Sequence, residues 1–219
     1  MNTRNGSDTD SELPRLRGIS WLFFAAAVLF FAAIFNPVIF GYFDAASESD
    51  RLSHVEENLT AIRLIFAGMG LTELALGVAL WLWGKQVADH TPGTRGGVAR
   101  AFAVVGLVAG ALSMIGRLSA WFEDPQGLAS DDPGLFELLV GVPAWIGFSV
   151  ALIVFGVLMI RGSMPMWLGV AWIVCGVLFW GGLIPFWFFL AAFAFGIRGI
   201  VRFRPGKTTA EQVSGVRPV

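Results

Sequence analysis

The chain has 219 residues, 56% hydrophobic and only 14% charged, with a formal net charge of −1 and a mean hydropathy of +0.70. A soluble domain carries nearer a quarter charged residues, so the composition indicates a membrane protein with no room for a separate soluble domain. One cysteine, Cys175, excludes an intrachain disulfide and a Cys-x-x-Cys redox or zinc site, and two histidines, His54 and His90, both expected in loops, exclude a bis-histidine haem or a histidine metal cluster.

Residues 1–14 are polar and read as a disordered tail. About 20 apolar residues span the roughly 30 Å of hydrocarbon as a helix, and six such runs follow. The first, 19–43, is too long for a signal-peptide core and lacks a small-residue cleavage site, so it should persist as a helix. Asn36-Pro37 falls in its outer half and predicts a kink. An acidic loop with Asp44, Glu48, Asp50, Glu56 and Glu57, opposed only by Arg51, leads to the second run, 61–83. Asn58-Leu59-Thr60 matches a glycosylation acceptor, although Thr60 as the cap of this helix is the plainer account. The third run is 101–122, and the fourth, 138–160, carries Pro143 near its start as a second expected kink. No lysine lies within any run, which excludes a retinal Schiff base. Cys175 sits among Val174, Gly176 and Val177 and reads as a buried, inert thiol.

The last apolar stretch, 166–197, runs to 32 residues, and charge decides how it crosses. Lys and Arg in short flanking segments mark the cytoplasmic face. Arg4, Arg15 and Arg17 precede the first run; Lys85, Arg95 and Arg100 follow the second; Arg161 follows the fourth; Arg198, Arg202, Arg204, Lys207 and Arg217 end the chain. All share one side only if the stretch is two short helices, 166–180 and 183–201, turning at the Gly and Pro residues of 181–185. The expected fold is therefore all-α: a polytopic bundle of six transmembrane helices over 15–203, both termini cytoplasmic, with polar tails at 1–14 and 204–219. The expected location is a bacterial inner membrane. Glu123, Asp124, Asp131, Asp132 and Glu137 crowd the other outer loop without a Lys or Arg. These acids read as solvated, with a weak divalent cation site as the alternative. Trp21, Trp81, Trp83, Trp121, Trp167 and Trp180 lie near run ends, as interface anchors do.

An ionisable group in hydrocarbon costs about 2.5–3.5 kcal/mol on insertion scales, so each one deserves a reason. Glu73 lies twelve residues into the second run, roughly 18 Å deep at 1.5 Å per residue and near the midplane. Gly106, Gly110, Ser113 and Arg117 form one stripe on the third helix, and Arg63, Gly70 and Gly77 another on the second, with Glu73 at its flank. Small residues let helix backbones approach closely in lipid. Packing the stripes places Ser113 level with Glu73 and Arg117 about 10 Å farther out, so a direct Glu73–Arg117 pair is expected to need a register slip or a water. Asn36, the carbonyls freed by the prolines, Arg63, Arg117, Ser113 and Glu73 together suggest a polar, outward-opening binding cavity. The blander readings are a snorkelling Arg63, an Arg117 paired with Glu123 or Asp124, and a purely structural Glu73. No catalytic residue, metal ligand or cofactor motif is assigned, since phosphate-binding Gly loops, metalloprotease His pairs and calcium loops are all lacking.

Four features carry a family resemblance: Arg15-Leu16-Arg17-Gly18 before the first helix, the acidic first loop, Leu71-Thr72-Glu73-Leu74, and Met164-Pro165-Met166-Trp167-Leu168-Gly169 opening the fifth helix. Over about residues 15–203 the chain resembles the bacterial six-helix membrane proteins of the domain-of-unknown-function 4386 family. It departs in the third helix, where Arg117 lacks a following acid, and in the sixth, which has none. The resemblance implies the six-helix fold and no activity. Three roles remain open from the residues. One is a binding or transport protein for a small amphipathic or lipid-like solute, with Glu73 as proton or cation partner. The second is an enzyme acting on a lipid or isoprenoid with Glu73 as general acid, and the third an accessory subunit docking through its glycine faces. The expected partners are membrane lipids and a second copy of the chain, and not nucleic acid, because the basic groups flank the membrane without interleaved aromatics.

Overall fold

The computed structural model of the chain describes residues 7–91, 93–130, 135–162, 164–178 and 184–202. Residues 1–6, the C-terminal tail, Asp131 and Asp132, Trp180 and the expected turn at 181–183 lie outside the described residues. The helices are α1 (Ser7–Ile34), α2 (Pro37–Asp44), α3 (Glu48–His90), α4 (Thr94–Leu118), α5 (Pro125–Ala129), α6 (Val142–Ile160), α7 (Met166–Val177) and α8 (Ile184–Arg202). No strand occurs among the described residues. Four stretches are long and apolar enough to cross a membrane: Leu16–Ile34, Glu48–His90, Thr94–Trp121 and Leu138–Ile160. Met166–Val177 and Phe186–Val201 are shorter apolar helices.

The first run is two helices rather than one kinked helix. Proline cannot donate the bond that would continue α1, and the Asn36 side chain instead accepts from the Val38 N–H at 3.0 Å, capping α2. Pro143 likewise sits in the first turn of α6, after a π-helical turn over Glu137–Gly141, so the break precedes it. Residues 7–14, expected to be disordered, already belong to α1.

The outer loop before the second run is a larger departure. α3 starts at Glu48 under a Ser47 cap, with Glu48 and Asp50 in the first turn, where the helix dipole favours acids. It runs 43 residues, about 64 Å at 1.5 Å each. Thr60 is therefore mid-helix and caps nothing, and both His54 and His90 lie on a helix, not in loops. The backbone leaves helical geometry only at Asn58 (φ −121°, ψ 17°).

Small residues let helix backbones approach closely. Glycine does so on three antiparallel seams. Between α3 and α4, Gly70 faces Met114 and Arg117, Gly77 faces Gly106 and Gly110, and Gly84 faces Ala99 and Ala103. A Cβ on Gly77 would stand 2.7 Å from the Gly106 carbonyl oxygen. Between α6 and α7, Gly156 and Gly169 each approach the other's carbonyl to 2.6 Å on the same measure, and the Ser149 hydroxyl donates to the Gly176 carbonyl at 2.6 Å. Between α1 and α8, Gly196 lies against Phe24 and Gly199 against Ser20.

Aromatic side chains fill the space between these pairs. Phe23, Trp83, Phe155, Trp172 and Phe195 form one buried cluster, with Trp83 within 5.6 Å of Phe155, Trp172 and Phe195 by ring centroid. Trp83 is thus a core residue and not an interface anchor, whereas Trp21, Trp121 and Trp167 are exposed. The outer surface of the bundle is apolar: Leu29, Leu64, Leu71, Val108, Ile115 and Val174 are all exposed.

Candidate functional site

The two stripes read from the sequence face each other, and the geometry at their centre follows. Gly110 and Gly77 bring the backbones close enough that a Cβ on Gly110 would meet the Glu73 carbonyl oxygen at 2.9 Å. That approach sets Glu73 opposite Ser113, whose hydroxyl donates to Glu73 Oε2 at 2.6 Å. Arg117 spans both oxygens, with Nη2 to Oε1 at 3.2 Å and Nε to Oε2 at 3.4 Å. The expectation that this pair would need a slip or a water is overturned. Side chains in a helix lean toward its N-terminus, so Arg117 reaches back along α4 toward Ser113 and covers the axial distance itself. Its guanidinium also lies 5.8 Å from the Phe66 ring centroid. The Glu73 side chain is 3% exposed and that of Arg117 19%.

Arg117 and Ser113 line a cavity of about 530 Å³, and Glu73 sits directly behind them. The cavity lies between α3, α4 and the start of α6, under a lid made by α2, α5 and the first turns of α3. The lid is tied by hydrogen bonds: Tyr42 Oη donates to the Leu128 carbonyl at 2.7 Å, Arg51 Nη1 to the Ala129 carbonyl at 3.1 Å, and His54 Nε2 to the Val38 carbonyl at 2.8 Å. Tyr42, Phe66 and Trp145 give the cavity an aromatic wall.

The other two sequence-predicted site residues are elsewhere. Asn36 is spent on capping α2. Arg63 donates to the Ala120 carbonyl through Nε at 3.0 Å and to the Glu123 carbonyl through Nη2 at 2.6 Å, so it ties the end of α4 to α3 rather than snorkelling. The Glu123 carboxylate accepts from Ser119 at 3.1 Å, and Arg117 is committed to Glu73. Tyr42 and Trp145 escaped the sequence reading because both lie inside apolar runs, where nothing local marks which side chains face a cavity.

Chemically, the Glu73 carboxylate is engaged by Ser113 and Arg117, and the charged residues that line the cavity are Arg117 and Glu123, the latter accepting from Ser119. This suits reversible ion binding or a proton-controlled contact. No family model, curated protein or solved structure matches the chain.

Proposed function

We propose that the chain is a multi-pass membrane protein, with all six longer helices crossing the bilayer and both termini cytoplasmic, that binds or transports a small amphipathic solute through the outward-facing cavity at Arg117. The observation that carries this reading is the buried Ser113–Glu73–Arg117 group at the wall of a cavity about 530 Å³ in volume, within the 300–1,000 Å³ range of small-molecule sites. The apolar outer surface supports the membrane setting, and the charge sorting supports the orientation.

The mechanism follows from the pair. With Glu73 ionised, Arg117 is held across both carboxylate oxygens. A proton on Glu73 cancels that attraction and releases the guanidinium to the acidic group of a solute whose apolar body lies on Phe66 and Trp145. Solute binding and protonation thereby favour each other, as linkage requires of two ligands sharing one state. The test is uptake of a radiolabelled medium-chain fatty acid into proteoliposomes under an imposed pH gradient. Wild-type uptake should rise when the outer side is acidified, and Glu73→Gln should abolish that dependence. Uptake that responds to pH equally in both proteins would reject the role of Glu73.

A further inference from the structure

A second cavity opens at the opposite end of the bundle, where α1 begins, α3 ends, α4 begins, α6 ends, α7 begins and α8 ends. It has a volume of about 510 Å³ and differs in character from the first. Its depth is apolar, formed by Ile19, Trp83, Leu168 and Phe195, all buried. Its charged groups are basic: Arg95, Arg161 and Arg198 come from three different helices or their ends, beside the neutral Ser20, Gln86 and Thr91 and the ring of His90. No Asp or Glu lines it among the described residues.

Two buried donors at this end lack hydrogen-bond partners among the described residues. One is Nε of Arg198, whose guanidinium lies 5.9 Å from the Trp167 ring centroid. The other is the indole Nε1 of Trp172, which stands one turn from Leu168 and against Trp83 and Phe195. Buried N–H groups are paired in the great majority of cases, because leaving one unmade forfeits its hydration. A guanidinium pairs best with a carboxylate or phosphate oxygen, through charge-assisted bonds.

We infer that this cavity is a binding site for an amphipathic anion, its acidic group on Arg198 between Arg95 and Arg161 and its hydrocarbon against Trp83, Leu168 and Phe195. The charge is supplied by three residues that sequence reading counts only as topology markers. The apolar floor makes a bare anion a poor occupant, and the basic mouth does the same for a zwitterion. An acidic lipid of the adjoining leaflet and a free single-chain fatty-acid anion share this chemistry.

The experiment uses the full chain in neutral maltoside micelles, with binding read by native mass spectrometry and by thermal unfolding. The probes are phosphatidylglycerol, phosphatidylcholine, a single-chain fatty acid and inorganic phosphate. Either of the first and third should bind and raise the unfolding temperature, and whichever does so identifies the source. Arg198→Gln should weaken binding about tenfold or more, since a lost charge-assisted bond is worth about that much. If that variant fails to fold, the Arg95→Gln/Arg161→Gln double variant, at exposed positions on the rim, carries the same expectation. Leu71→Ala, an exposed outer-surface change that lines neither cavity, should bind as wild type. The inference is overturned if phosphatidylcholine binds equally, if inorganic phosphate alone reproduces the shift, or if the arginine variants weaken binding no more than Leu71→Ala does.

Discussion

Replacing Arg117 by Met leaves Glu73 stranded, and the cost can be worked from the geometry. The Nη2–Oε1 separation is 3.2 Å; at an effective dielectric of about 20, unit charges roughly 3 Å apart attract by about 5 kcal/mol. Withdrawing a carboxylate with 3% exposure from water costs several kcal/mol, so the intact pair is close to neutral for stability. Removing the guanidinium alone deletes the attraction and keeps the desolvation, with Ser113 as the remaining hydrogen-bond donor. The expected loss is about 3 kcal/mol, the low end of the range for broken buried pairs, because Arg117 is itself 19% exposed and water can approach. Glu73→Leu with Arg117→Met removes both charges and should recover most of that loss, since apolar replacement of a whole buried pair is often neutral. Ser113 then bonds a carbonyl of its own helix. Reversible unfolding of the four proteins by SDS titration in maltoside micelles, followed by far-ultraviolet circular dichroism, gives the double-mutant cycle. A single variant as stable as wild type, or a double variant as unstable as the single, would refute this account.

The glycine seam makes a matched comparison: Gly110→Ala should destabilise by about 1–3 kcal/mol through overpacking, because its Cβ would meet backbone atoms of Glu73 and Gly77 at 2.9 and 3.0 Å. Gly68→Ala on the same pair of helices, with nothing within 4 Å, should be neutral or stabilising by up to about 1 kcal/mol from helix propensity; thermal unfolding in micelles reads both. Asn36→Ala should cost about 1 kcal/mol by removing the cap of α2, and amide exchange at Val38 should accelerate while exchange in α4 stays unchanged.

The apolar runs and the Gly106, Gly110, Ser113 stripe were legible because both depend on spacing along a single helix. The level of Ser113 against Glu73 followed from the same arithmetic. Arg117 was misplaced for a definable reason: the rise per residue locates Cα atoms, whereas a long side chain tilted toward the helix N-terminus reaches a full turn farther. The extension of α3 to Glu48 was hidden in residues as polar as any loop, and the Ser47 cap signals a start without saying how far the helix runs. The basic cavity was invisible, since Arg95, Arg161 and Arg198 are far apart in sequence and only the antiparallel seams collect them.

The pairing of the first helix with the last has a consequence for how the chain assembles. During synthesis α1 precedes α8, yet the surface that fits Phe24 and Ser20 belongs to Gly196 and Gly199 of α8. Until α8 is added, α1 can dock on α3 and, through Phe23, on Trp172 of α7, with Phe24 and Phe30 lacking their ring partners Phe193 and Phe189. The α1–α8 seam therefore closes only once α8 is made, and a polypeptide interrupted before residue 184 leaves uncovered the face of α1 that Gly196 and Gly199 would meet.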